Sequence, residues 1–547
     1  MNSERILPAP PPLRAGGPAP ATGSRLVLYA LVMAATVSPL LWVRVPPLVD
    51  YPNHLARMWI LARNGSNPAL AANYQVHWRI LPDLAMDLIV PPISKILSIG
   101  AAGRVFIALT MVMLIGGTAT LHRVLHGRWG VAPLWSALFV YNAVLFWGFL
   151  NCLFGIGAAL FALSGWMATR EWRPGRRILV FSVVASLLFL LHLFAFGFYG
   201  LAVGLHELDG RIRQRRISLT SALSLVAAGL QFAPGFLLWY LSLKHGGPTL
   251  TLYGDFADKL YALISPFTFG TAPVPLDEVT GFLAIAFLAW GILTRFLTFA
   301  PEFRRPLAVM ALVAAAMPNV LSGSWSADLR LPVALTFLLI AATEVRIPTR
   351  RMTAAVAALA FCVLGARIWA VTQSWRDYGR QFDEFRAASR VIAVGSRLLV
   401  VEGPIPRGQS RLPGVPGFFA RRQSVAYIHM AELSVIDRSA FVPYLFTGWT
   451  TIEVAARNRG IAQWEGVPVT PGELGESAGP GQRKELDARR TVYGERLYWR
   501  DWPDEFDFVL WIDFGSRPKD VPPQLRLVAR GSFFQIFRVV RPAMRVR

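Results

Sequence analysis

The chain has 547 residues, of which 54% are hydrophobic and only 16% charged, against about 25% charged in soluble domains. This excludes an ordinary water-soluble globule and points to an integral membrane protein. The net charge is +22, but the arginines lie in short loops between apolar stretches, not in patches interleaved with aromatics, which argues against a nucleic-acid partner.

Residues 1–25, MNSERILPAPPPLRAGGPAPATGSR, are rich in Pro, Gly and Ala and read as a disordered cytoplasmic tail. No small-residue cleavage site follows the first apolar stretch, so that stretch reads as a retained helix. A bilayer core requires about 20 apolar residues per helix. Runs near that length predict eleven spans, at 26–43, 104–121, 131–147, 150–168, 177–191, 193–208, 218–243, 279–298, 306–322, 331–346 and 351–371. The connections HRVLHGRWG, TREWRPGRR, DGRIRQRR, TFAPEFRR and RIPTRR are arginine-rich, and the alternate ones are poor in arginine. The positive-inside rule then puts the N-terminus inside and the C-terminus outside. Keeping this alternation requires the stretch 178–208 to be two short helices joined at His192.

Two long loops fall on the outer side, 44–103 and 244–278. In the first, LAMDLIVPPISKIL is too short and proline-broken for a span and reads as an interfacial or re-entrant helix. In the second, GDFADKLYALISPF reads as amphipathic. Beyond the last span, WRDYGRQFDEFRAASR predicts a helix, and SRLLVVEG, FDFVLWIDF, LRLVARG and FFQIFRVV predict strands, with the polar stretch TPGELGESAGPGQRKELDAR between them. The expected fold is an all-α polytopic membrane bundle, 26–371, followed by a small soluble α/β domain, 372–547, outside the membrane. Cys152 and Cys362 both lie in apolar stretches, which speaks against a disulfide or a cysteine metal site.

The spans hold few ionisable residues. Arg295, Glu344 and Arg367 fall near span ends, where they are expected to snorkel to water. Chemistry is therefore expected at the outer interface, where Asp50, His54, Arg57, His77, Arg79, Asp83, Asp87, His192, Lys244, His245, Asp255, Asp258, Lys259, Asp328 and Arg330 collect. An acidic residue just past the first span, in LVDYPNHLAR, opens a long outer loop with interfacial helices. HLFAFG at a span-to-span turn, SADLRLP opening a late span and a C-terminal soluble domain accompany it. In this architecture residues 26–346 resemble the GT-C superfamily of integral membrane glycosyltransferases, although Tyr51 follows Asp50 where many members carry a paired Asp-Glu.

The resemblance implies an inverting transfer of a sugar from a polyprenyl-phosphate carrier to an acceptor hydroxyl, at the outer face of a bacterial inner membrane. It implies Asp50 as the base, with Arg330, Lys259, Arg57 and His54 for the carrier phosphate. Asp83, Asp87, His192 and Asp328 are secondary candidates. Each residue also has a structural reading. Asp50 could start a turn, Asp83 cap a helix, Asp87 be solvated, and His54 and Arg57 sit among headgroups. His192 could be a hinge, Arg330 a helix boundary, and Asn151 and Gly155 helix-packing residues. The acceptor and any cofactor are left open, a divalent metal included, and no metal ligands are assigned. A transporter or flippase of a lipid-linked substrate, or a non-catalytic envelope assembly protein, is the alternative.

Overall fold

The computed structural model describes residues 22–213, 218–243, 250–267, 276–404, 427–448, 450–463, 466–477, 497–514, 518 and 520–541. Residues 1–21 of the N-terminal tail, Lys244, His245 and residues 478–489 of the polar stretch lie outside them.

Helix α1 (Thr22–Val37) passes into a 3-10 turn, Ser38–Trp42. Helix α2 (Tyr51–Arg63) follows, with Pro52 in the first turn, where its missing N–H costs nothing. A short α3 (Pro68–Ala71), the strand β1 (Tyr74–Val76) and α4 (Ala85–Ile93) complete the first long loop. Helix α5 (Ile99–His126) ends on Gly127 at φ 70°, a left-handed cap that glycine adopts without strain. After α6 (Ala143–Trp147) come α7 (Leu150–Ala168), α8 (Pro174–Leu191) and α9 (Leu193–Arg213). The break between α8 and α9 is His192, extended at φ −171° and ψ 131°.

The bundle continues with α10 (Leu219–Gly229), α11 (Ala233–Ser242), α12 (Phe256–Ile264) and α13 (Leu276–Leu293). Strand β2 (Leu297–Phe299), α14 (Arg304–Ala316), α15 (Ala327–Ala342), β3 (Thr343–Val345) and α16 (Arg350–Ala388) follow. Asp255 and Asp258, counted among the outer ionisable residues, form the capping box of α12.

Seven helical stretches among the described residues are long and apolar enough to cross a membrane: Gly23–Trp42, Ile99–His126, Leu150–Ala168, Pro174–Leu191, Leu219–Ser242, Leu276–Leu293 and Arg350–Val391. The remaining expected spans have local causes for falling short. Residues 131–147 divide into a 3-10 run, Ala132–Phe139, and α6. Helix α14 stops at Ala316, two residues before Pro318, which disfavours helix at the residue ahead of it. Helix α15 gives way to β3, which pairs with β2 antiparallel. Helix α9 carries Glu207, Asp209, Arg211 and Arg213 in its second half.

Close packing of α5 on α7 organises the bundle. A Cβ on Gly117 would stand 2.8 Å from the Gly157 carbonyl, and one on Gly157 2.8 Å from the Met113 backbone, the small-residue contact of packed membrane helices. The 28 residues of α5 separate the two ends of the bundle by about 42 Å. At one end the arginine-rich loops meet: Arg128 and Arg346 contact Glu344, and Arg305 contacts Asp209. Arg367 departs from the snorkelling expectation. It is fully buried, and its guanidinium donates to the Tyr141 carbonyl (2.6 Å), the Phe267 carbonyl (3.2 Å) and Thr280 Oγ1 (3.0 Å).

At the other end, α16 runs on past the apolar segment as one helix of 39 residues, about 58 Å long. The helix expected after the last span is its continuation. It packs Phe385 on Phe534 of a four-stranded sheet. The strands β4 (Leu398–Glu402), β6 (Phe508–Ile512), β7 (Leu525–Arg530) and β8 (Phe534–Val539) lie in the order β4-β6-β8-β7, with β4 and β6 parallel and the others antiparallel. Strands β4 and β6 are buried at every position, so both faces are covered. Strand β1 of the first loop pairs antiparallel with β5 (Ile452–Val454), Tyr74 opposite Val454. Arg79 also contacts Glu453, so the loop and the C-terminal region share a ladder and an ion pair.

Candidate functional site

Asp50 is held by the backbone of residues 146–148. Val49 N–H donates to the Phe146 carbonyl (2.9 Å) and Asp50 N–H to the Trp147 carbonyl (3.1 Å). Gly148, at φ 88°, is what allows this approach: a Cβ there would stand 2.9 Å from the Asp50 nitrogen. Asp50 occupies the N-cap position of α2, yet its side chain caps nothing. The turn-forming role therefore leaves the carboxylate unengaged. It is 15% exposed, with Oδ1 3.6 Å from Nε2 of His429.

His429 and its partner Glu432 come from the C-terminal region, and sequence reasoning missed both. Nδ1 of His429 lies 2.7 Å from Glu432 Oε1, which assigns a proton to Nδ1 and turns Nε2 toward Asp50. The two residues stand at i and i+3 in IHMAE, and that spacing was the one available signal. Asn53, fully buried in α2, fixes them in place. Its amide donates to Glu432 Oε1 (3.0 Å) and the Tyr444 carbonyl (3.2 Å), and its Oδ1 accepts from Phe446 N–H (3.0 Å).

Burial pushes the Asp50 carboxyl up to about 6, against the opposing charges of His429 and Arg330. Burial works against the His429 cation too, but Glu432 and Asp50 outweigh it and raise that imidazole. Glu432 is itself raised by burial.

Asp83 and His192 form a second contact, Oδ1 to Nε2, at 3.6 Å. Nδ1 of His192 accepts from Phe194 N–H at 3.0 Å, so the proton sits on Nε2 and faces Asp83. Burial, aided by Arg330, holds the His192 ring well below its usual range and keeps it neutral. Asp83 is not a helix cap, because the N-cap of α4 is Leu84. It stands at φ 75°, pinned by Asn151, which takes its carbonyl (2.8 Å) and holds Met86 N–H (2.8 Å). Its side chain is half exposed, yet burial raises its carboxyl to about 6, as expected of a group lining a recess.

Arg57 and Asp87 are neither headgroup-facing nor solvated. Both are buried, with Nη2 to Oδ1 at 2.9 Å, and Thr451 Oγ1 donates to the same Asp87 oxygen at 2.9 Å. His54 accepts from Arg57 at 3.3 Å through Nδ1. Burial, Arg57 and His429 keep it neutral.

Arg330 lies over the Phe149 ring at 5.0 Å. It donates to Ser324 Oγ (2.9 Å) and the Trp325 carbonyl (3.1 Å), and its buried Nε has no hydrogen-bond partner among the described residues. Lys259 contacts the Met317 carbonyl and stands 3.5 Å from Asp328, which also accepts from Asn319 at 3.3 Å. The fold thus gathers Asp50, Asp83, His192 and Arg330 with His429 and Glu432, backs them with His54, Arg57 and Asp87, and pairs Lys259 with Asp328. Among the described residues no group of three or more His, Cys, Asp or Glu side chains could hold a metal ion.

No family model matches the chain, and no curated protein matches it. Among solved structures it is similar to the arabinofuranosyltransferase AftD from Mycobacteria, at a TM-score of 0.47 and 16% identity, covering 96% of this chain and 40% of that one. A mutant of the same protein gives 0.47 and 15%, covering 96% and 42%. The chain therefore spans about two fifths of the length of these structures.

Proposed function

We propose that this protein is a membrane glycosyltransferase that moves a sugar from a polyprenyl-phosphate carrier to an acceptor hydroxyl on the outer face of a bacterial inner membrane. The observation that carries this reading is the convergence of Asp50, His429 and Arg330 at one end of an apolar bundle. The acceptor oxygen attacks the anomeric carbon and gives its proton to the Asp50 carboxylate. The bond from that carbon to the carrier phosphate breaks with inversion, and its electron pair leaves with the phosphate. Arg330 stabilises the charge that develops there.

His429, clamped by Glu432, is a positioning residue: its charge sets the pH at which Asp50 becomes a base. A cavity of about 200 Å³ between α13, α15 and α16, lined by Trp135, Phe139, Phe267, Leu283, Phe287 and Leu339, suits part of an isoprenoid chain. The test is reconstitution in vesicles with polyprenyl-phosphate sugars, together with lipid analysis of a deletion strain. Expected are sugar transfer in the vesicles and accumulation of a polyprenyl-phosphate sugar in the strain. Absence of both would overturn the reading.

A further inference from the structure

Away from Asp50, four arginines line a pocket of about 460 Å³: Arg44, Arg104, Arg376 and Arg380, with Asp383 beside them. The pocket lies between the 3-10 turn Ser38–Trp42, the first turns of α5 and the last third of α16. Gly379 lets the helix come close, since a Cβ there would stand 2.8 Å from Val43. Arg104 is anchored to the Val43 and Arg44 carbonyls, both at 3.1 Å, which fixes its guanidinium without neutralising it. Asp383 reaches Arg44 only at 4.0 Å, and Asp377 engages Arg380 at 2.5 Å. Arg376 stacks on the Trp42 ring at 3.9 Å and makes no hydrogen bond or ion pair among the described residues. Four cations thus face two carboxylates, an excess that an anion would relieve.

The surroundings specify the source of that anion. Leu41 is 83% exposed, Trp42 58%, and Ile96, just ahead of α5, 89%. Along α16 the apolar run gives way to polar residues at Thr372–Ser374 and to charged ones from Arg376 onward. The pocket therefore sits at the level where an apolar membrane surface becomes polar, with a tryptophan at the boundary. We propose that it binds the phosphate of an anionic phospholipid headgroup, held by the arginine forks, with the acyl chains lying along Leu41 and Ile96.

The test uses the full-length protein purified in detergent and native mass spectrometry with phosphatidylglycerol, phosphatidylcholine and inorganic phosphate. Phosphatidylglycerol is expected to be retained in preference to both others. The double variant Arg44→Gln/Arg380→Gln, whose side chains are 76% and 79% exposed, should lose about tenfold in that affinity while its lipid-free melting temperature stays unchanged. Equal retention of phosphatidylglycerol by protein and variant would overturn the proposal. Equal retention of phosphatidylcholine would remove its preference for anionic headgroups. Inorganic phosphate binding as tightly as the lipid would assign the pocket to a free anion.

Discussion

Nε2 of His429 faces Oδ1 of Asp50 at 3.6 Å, so a carboxylate just past the first span is opposed by an imidazole from the C-terminal region. If Asp50 is the base, activity depends on both.

Asp50→Asn should lower transfer by roughly 10²–10⁴-fold, the usual contribution of a positioned base, while expression persists. The same change should stabilise the protein at pH 8. The folded-state pKa of Asp50 lies near 6, above the unfolded value of about 4. The stability this group contributes is thus complete below pH 4 and lost as pH rises through 6. Asn avoids that loss, a gain of about 1–3 kcal/mol at most, read as a higher melting temperature at pH 8 that vanishes at pH 4. Near-normal transfer by the variant would remove Asp50 from the reaction.

The rate should fall on acidification with an apparent pKa near 6, the value burial imposes on Asp50. His429→Gln removes a positive charge that opposes this shift, so the acid limb should move to higher pH. A limb in the same place in both proteins would detach His429 from the base. Asp83, also raised to about 6, acts in the opposite direction: its negative charge adds to the upward shift of Asp50, so Asp83→Asn should move the limb to lower pH.

Arg330→Ala should raise the KM for the lipid-linked donor by about ten- to a hundredfold, and Arg330→Lys should recover part of that, since an ammonium keeps the charge but not the planar fork. Unchanged donor kinetics in both variants would exclude it from the phosphate site.

Asp87→Ala should cost about 3–5 kcal/mol, because it leaves the buried Arg57 cation without its partner. Thermal unfolding should show this loss, and Arg57→Met/Asp87→Leu should recover most of it. Equal melting of Asp87→Ala and the unaltered protein would place the pair in water.

A periplasm-dependent phosphatase fused after the C-terminal strand should be active, as the arginine asymmetry of the connecting loops requires. Activity only of a cytoplasmic reporter at that position would invert the topology.

The sequence exposed part of this site readily. Asp50, Asp83, His192 and Arg330 each stand at the edge of an apolar run, where a charge has few structural reasons to be. His429 and Glu432 were hidden, because nothing local says that their segment returns to the membrane surface. That return rests on Asn53 and on the pairing of β1 with β5, strands of three residues each, too short for an alternating pattern to show. Asp87 and Arg57 were misread for the same reason: Thr451, which seals their pair, lies beside β5. The end of the last span was placed by a change in composition, yet residues 350–388 contain no proline, so the helix crosses that change unbroken. Of the eleven expected spans, seven coincide with helical stretches long and apolar enough to cross a membrane among the described residues. Two of the others are occupied by a 3-10 run with a short helix and by α14, which stops ahead of Pro318.

Helix α16 also has the mechanics of a lever. Over its length of about 58 Å, a tilt of about 5° at the membrane-embedded end swings the far end by about 5 Å, more than the gap from Asp50 to His429. The β1–β5 ladder and Asn53 act as a stay against that swing. Cutting the stay, by Asn53→Ala or by proline in β1, should misalign the two residues without altering either one.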